Sequence, residues 1–141
     1  MKPPSRRRVL EALAVLAALG ALWMLWTVWC YRRAVPASDE TFESFAASHP
    51  APEQLIVRKM GFMEQVTWIG ARAPLSFWPK GPPVYVFARS GELVDWSYDS
   101  GVAADRLQIA APRPGARRVT LDEARAWMKT PSPPPTPPGS P

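Results

Sequence analysis

The sequence predicts an α+β protein: one N-terminal transmembrane helix, then a small domain with an antiparallel sheet of three to four strands and two to three helices. Three features predict it: a long apolar run between arginines, alternating strand-like segments in the middle of the chain, and a well-capped helix before a proline-rich stretch. The predicted parts are a basic N-terminus (1–8), a membrane helix (9–31), a linker (32–37), the domain (38–129) and a disordered tail (130–141).

The apolar run reads VLEALAVLAALGALWMLWTVWCY, residues 9–31. As an α-helix it reaches roughly 34 Å, enough for a hydrocarbon core of about 30 Å. Its aromatic rings gather toward the C-terminal end, as amphipathic rings do at a membrane interface. The sequence therefore predicts a membrane anchor, with this aromatic end formed by Trp23, Trp26, Trp29 and Tyr31.

Flanking charges predict the orientation of the anchor. Lys2 and 6–8 (RRR) precede the run, whereas Arg32 and Arg33 follow it. Because the heavier basic cluster stays in the cytoplasm, we expect residues 32–141 to be extracytoplasmic. Richness in alanine, proline and arginine suits a GC-rich bacterial genome, so we expect a bacterial inner-membrane protein.

Cleavage of the helix is the alternative. The sequence AVPA (34–37) offers a signal-peptidase site near Ala37, and cleavage there would give a secreted protein. The apolar run is longer than the usual 7–15 residues of a signal peptide. Arg32 and Arg33 also separate it from that site. We therefore expect an uncleaved anchor.

Composition bears on several function classes. The net charge of +5 arises at the flanks of the anchor, and residues 34–141 carry as many acidic as basic side chains. No basic face for phosphates is evident, so we expect no nucleic-acid binding. Cys30 is the only cysteine, which rules out an intramolecular disulfide but leaves a disulfide between two chains open.

One face of the anchor carries small side chains, which allow helices to approach closely in lipid. This spacing predicts a helix-packing face for a protein partner or a second copy, with a merely alanine-rich span as the alternative. The residues are Ala14, Ala17, Ala18 and Ala21.

The domain reads as helix, strands, helix. We predict a helix at 38–48 capped by Ser38, and a helix at 118–129 whose capping box is Thr120 with Glu123. The segment 52–61 has proline and glycine at its ends and favours a short helix, although its β-branched residues would also suit a strand. Strands are predicted at 64–71, 74–78 and within the hairpin 84–101.

The hairpin VYVFARSGELVDWSYDSG allows two loops. A two-residue loop, Ser90-Gly91, pairs Arg89 with Glu92, Phe87 with Val94 and Tyr85 with Trp96, whereas a three-residue loop with Gly91 at a bulge shifts one strand by one residue. Both predict one apolar face and one outer face, since side chains alternate. The apolar face is Val94, Trp96 and Tyr98, and the outer face is Leu93, Asp95, Ser97 and Asp99.

Catalytic chemistry finds little support. Asp95 and Asp99 lie roughly 13 Å apart in an extended strand, too far to share an ion or a scissile bond. His49 is the only histidine. We expect no enzyme, metal site or cofactor, and an anchored hydrolase using Asp95 and Asp99 is the alternative.

Aromatic residues on a proline-rich loop suit an interface. We predict a partner surface at Phe77, Trp78 and Tyr85, with a lid over the small core as the alternative. The expected function is that of a non-catalytic binding or accessory subunit of a membrane or envelope complex.

Overall fold

The computed structural model describes residues 5–60, 63–74, 81–98 and 115–131. Within these residues there are three helices, α1 to α3, and a five-stranded antiparallel sheet in the order β4-β3-β2-β1-β5. The α+β class is thus confirmed, but three to four strands was too few. The elements are α1 Arg6–Ala34, α2 Phe42–Ser48, β1 Gln54–Met60, β2 Met63–Ile69, β3 Val84–Ala88, β4 Leu93–Ser97, β5 Ala116–Val119 and α3 Leu121–Lys129.

Helix α1 is long and apolar enough to cross a membrane. It contains the predicted span 9–31 and extends it by about a turn at each end. The side chains from Ser5 to Trp26 are exposed to the surroundings of the protein. An N-terminal apolar helix of this kind is either a membrane anchor or a signal sequence.

Strand β1 replaces the helix that 52–61 predicted. Leu55 and Val57 point into the core and are nearly fully buried, while Ile56 packs on the opposite face against Ile69 and Val84. β1 lies between two other strands, so both its faces and both its edges are engaged. Tertiary pairing with β-branched residues overrides the helix signals of the flanking proline and glycine.

Strand β5 was not predicted, because its four residues ARRV show no apolar alternation. It forms the outer edge of the sheet beside β1, and its two arginines are exposed, which protects the edge from further pairing. Gly115 precedes it with φ +85°, and a Cβ there would lie 2.8 Å from the carbonyl oxygen of Lys59. The close approach needs glycine.

The core consists of two rows of side chains that cross the sheet. Register places Val119, Leu55, Trp68, Tyr85 and Trp96 side by side in one row. The neighbouring row is formed by residues of β1 to β4, and α2 covers both rows with two buried phenylalanines in edge-to-face contact. These residues are Val57, Val66, Phe87 and Leu93 in the second row, and Phe42 and Phe45 from α2.

The two short helices have capping boxes. α2 begins at Phe42, later than predicted, because Thr41 rather than Ser38 caps it and Ser44 completes the box. In α3 the predicted pair Thr120 and Glu123 is confirmed. An apolar face of α3 packs on the core through Leu121, Ala124, Trp127 and Met128.

The hairpin uses the three-residue loop. Ala88 N–H donates to the Glu92 carbonyl across Arg89, Ser90 and Gly91, and Gly91 has φ +91°. Val94 is then an extra residue, because Phe87 pairs with Leu93 while Val86 pairs with Asp95. This bulge restores the predicted pairing of Tyr85 with Trp96.

The bulge changes the faces of β4. Leu93 packs against the core with Trp96, and Tyr98 is 5% exposed, whereas Val94 is 57% exposed. The predicted placement of Val94 inside and Leu93 outside is therefore wrong. The alternation failed because it assumed an unbroken strand.

The predicted ion pair between Arg89 and Glu92 is also wrong. Arg89 bonds to Glu64 of β2 and to the Thr130 carbonyl, and its guanidinium lies over the Trp127 ring. Both charged side chains are largely buried. The pair joins two strands to the end of α3, so its role is to lock the last helix onto the sheet.

The bulge predicts unequal costs for two neighbouring alanine substitutions. Leu93→Ala should destabilise the domain by about 1–2 kcal/mol, less than the about 2–5 kcal/mol of a fully buried leucine. Val94→Ala should change stability by less than about 0.5 kcal/mol. Chemical unfolding of the full chain in detergent measures both, and a larger loss for Val94→Ala would contradict the bulge.

Candidate functional site

The end of α1 docks onto the domain. The Tyr85 hydroxyl donates to the Ala34 carbonyl at 2.6 Å, and Trp26 Nε1 donates to the Pro74 carbonyl at 3.1 Å. The Tyr31 ring stacks on Tyr98 with centroids 6.0 Å apart. We call this contact region the junction. It lies where β2 and β4 end and β3 begins.

The Tyr85 bond satisfies a group that the helix leaves open. The last carbonyls of an α-helix have no partner within it, and Ala34 is the last helical residue. Burial raises the pKa of Tyr85 well above its ordinary value, and burial also raises the pKa of Tyr98. The Tyr85 hydroxyl therefore stays protonated at neutral pH and remains available as a donor.

A cleft of about 410 Å³ opens at the junction. Three elements build it: the last turns of α1, the C-terminal end of α2, and the end of the sheet with the segment that follows β2. Its walls are mainly apolar and aromatic. The main contributors are Trp26 and Trp29 from α1, Phe45 from α2, and Trp68, Tyr85 and Tyr98 from the sheet side.

The charges at the cleft are basic. Arg33 and Arg72 belong to its lining, and none of the described lining residues is an aspartate or glutamate. The Arg33 guanidinium lies 5.1 Å from the centre of the Trp29 ring, a cation–π distance. Arg72 is exposed. The cleft thus combines an apolar interior with cationic groups.

His49 lies at the cleft but is arranged for packing. Its ring stacks on Phe45 with centroids 3.7 Å apart, and Nδ1 is 2.9 Å from Ser48 Oγ. Glu40 approaches the same nitrogen, at 3.9 Å. A Ser-His-acid relay needs serine and carboxylate on opposite ring nitrogens, so these residues do not form one.

The predicted site residues meet different outcomes. Phe77, Trp78 and Asp99 lie outside the described residues, as does most of the strand predicted at 74–78. Tyr85 is 2% exposed and serves the core and the junction, and its role in a partner surface stays a prediction. Asp95 is exposed and accepts the Trp96 N–H at 2.9 Å.

Two further features concern the predicted helix-packing face and metal binding. Exposure in a single chain does not test association with another helix, so the predicted helix-packing face stays a prediction. All four of its residues are exposed: Ala14, Ala17, Ala18 and Ala21. Within the described ranges, no group of three or more His, Cys, Asp and Glu side chains could hold a metal ion.

Sequence reasoning missed the cleft itself, because its walls come from segments far apart in the chain. The available signal was the set of tryptophans at the end of the apolar run, which was assigned to the membrane interface alone. Trp26 and Trp29 also contact each other, with stacked rings 5.2 Å apart.

Comparisons with protein-family models, with curated proteins and with solved structures each found no match to this chain. Function must therefore be inferred from the chain's own geometry.

The junction predicts a measurable loss in Tyr85→Phe. Removing the hydroxyl leaves the Ala34 carbonyl without its donor, which should cost about 1–3 kcal/mol of unfolding free energy. Tyr98→Phe keeps its ring stack with Tyr31 and should cost less. Chemical unfolding of the full chain in detergent at pH 7 compares them.

The pKa of Tyr85 gives this variant a pH signature. Its folded pKa is raised, so its stabilising effect is fully present below the unfolded value of about 10 and is lost as pH rises above it. Tyr85→Phe should therefore lose less stability than the wild type between pH 9 and about 11. An equal alkaline loss in both proteins would contradict this role.

Proposed function

We propose that this protein is a single-pass, membrane-anchored binding or accessory subunit without catalytic activity. In this proposal α1 stays in the inner membrane of a bacterium, with the N-terminus cytoplasmic and residues 32–141 outside the cytoplasm. The junction is the observation that carries the proposal. A domain bonded to the last turns of its own anchor is held against the membrane surface.

The junction supports an anchor that is retained. Ala34 is buried, and the Ala37 N–H donates to a Glu40 carboxylate oxygen at 3.1 Å. Cleavage near Ala37 would remove α1 and with it the partners of Tyr85 and Tyr98. A domain that loses these contacts exposes aromatic side chains, which favours the retained anchor over the secreted alternative.

A rigidly held domain suits work within a complex in the membrane. Its α1 presents exposed apolar side chains from Val9 to Trp26, including the alanine face. Close packing of small residues is a common mode of helix association in lipid. We therefore propose that α1 binds a transmembrane helix of a partner or of a second copy while the domain projects outside.

Site-specific photocrosslinking in membranes tests this proposal. A photoreactive side chain at Ala17 should give a discrete protein adduct, because it lies on the alanine face. The matched control is Leu19, which is exposed but about 150° around the helix from the centre of that face. Equal or absent adducts at both positions would contradict the proposed face, and mass spectrometry of the mature N-terminus would show whether α1 is retained.

A further inference from the structure

With α1 across a bilayer at residues 9–31, the cleft would lie at the depth of the membrane interface. Trp26 lies five residues before the end of the predicted span 9–31, which is roughly 8 Å along the helix axis. Pro74 of the domain is bonded to it at that depth. With α1 in a bilayer, the end of the cleft at Trp26 therefore faces the acyl chains near the interface. The end of the cleft at Arg33 faces the headgroups.

The walls match the chemistry of that position. The interior is lined by aromatic side chains and prolines, and its volume of about 410 Å³ falls within the about 300–1,000 Å³ typical of small-molecule sites. Trp68 and Tyr85 form its floor on the sheet side and are almost fully buried. An apolar chain would find the exposed rings of Trp26 and Trp29 on the helix side, and the exposed Ala71 and Pro74 on the domain side.

The two arginines at the cleft favour an anionic headgroup. Arg33 ends α1 beside the cleft, and Arg72 lies in the segment that follows β2. No carboxylate is among the described residues that line the cleft. Guanidinium groups bind phosphate oxygens with two parallel hydrogen bonds, and basic groups at a membrane surface attract anionic lipids.

We propose that the cleft binds an anionic phospholipid of the surrounding bilayer, with an acyl chain along Trp26 and Trp29 and the phosphate at Arg33 and Arg72. This proposal rests on the proposed function, because it requires that α1 stays in the membrane. The lipid would fill the gap between anchor and domain and link the domain's position to the composition of the membrane.

The test uses the full chain in phosphatidylcholine nanodiscs with a photoreactive phospholipid. The probe carries a diazirine in one acyl chain and is either phosphatidylglycerol or phosphatidylcholine. Mass spectrometry should find the phosphatidylglycerol adduct on peptides that contain residues 68–74 and 83–85. Its yield there should exceed that of phosphatidylcholine by about fivefold for each arginine that contacts the headgroup.

Charge variants separate specific binding from mere proximity to lipid. Arg33→Gln with Arg72→Gln should reduce the phosphatidylglycerol yield to the phosphatidylcholine level. Arg118→Gln is the matched control, because Arg118 is an exposed arginine of β5 that does not line the cleft, and it should change nothing. Ala71→Trp, which fills the opening, should lower the yield of both lipids. Unchanged melting temperatures show that the variants fold.

Three results would overturn the proposal. These are equal yields of the two lipids at the cleft, adducts confined to the exposed surface of α1, and a crosslink from the cleft to a second copy, which would assign this face to a dimer. Each of these leaves the anchor in the nanodisc and the proposed function intact. A mature chain that lacks α1 would instead remove the proposed function.

Discussion

The fixed contact between the last turns of α1 and the sheet is the constraint on which the rest of the structure depends. A carbonyl at the end of a helix needs a donor, and here the donor comes from the centre of the domain. Because Tyr85 is also a core residue, its side chain belongs to the core and to the contact with α1 at the same time. A change in the packing of the core around Tyr85 would therefore also change the position of the domain relative to α1.

The sheet makes that coupling stiff. Tyr85 stands in a row with Trp68 on one side and Trp96 on the other, and Phe45 packs on it from above with centroids 4.4 Å apart. Aromatic pairs of this kind contribute about 0.5–1.5 kcal/mol each beyond their buried area. A shift of the Tyr85 ring would disturb its contact with Phe45 and its place between Trp68 and Trp96 in the sheet at the same time. The cleft keeps its shape for the same reason, since its floor belongs to this row.

The sequence predicted those elements whose signals are local. The apolar run, the capping box of α3 and the strand at 64–71 each depend on residues close in sequence. Over 52–61 the proline and glycine at the ends favour a helix, whereas strand β1 arises from pairing at both of its edges, and β5 is too short and too charged to show a strand pattern. A three-residue loop and the pairing of Tyr85 with Trp96 can both occur only if β4 contains one extra residue, Val94. The sequence does not show that both occur together, whereas the folded sheet does.

The candidate site was less predictable than the fold. The sequence predicts Tyr85 in a partner surface because it follows a proline-rich loop, whereas its position in β3 turns the side chain inward. The cleft needed the contact between Trp26 and Pro74, which are 48 residues apart. Contacts between residues so far apart produce no recurrent pattern of residues that a sequence analysis could detect. What the sequence does hold is the chemistry: tryptophans at the end of the span and arginines beside it.

A distance measurement between anchor and domain tests the central claim most directly. Spin labels at Leu22→Cys in α1 and Ser90→Cys in the hairpin loop, in a Cys30→Ser background, report their separation by pulsed electron resonance in nanodiscs. Both positions are exposed. A rigid junction predicts a single narrow distance distribution that broadens in Tyr85→Phe. A broad distribution in the otherwise unaltered chain would contradict it and would leave the domain tethered only through residues 35–41.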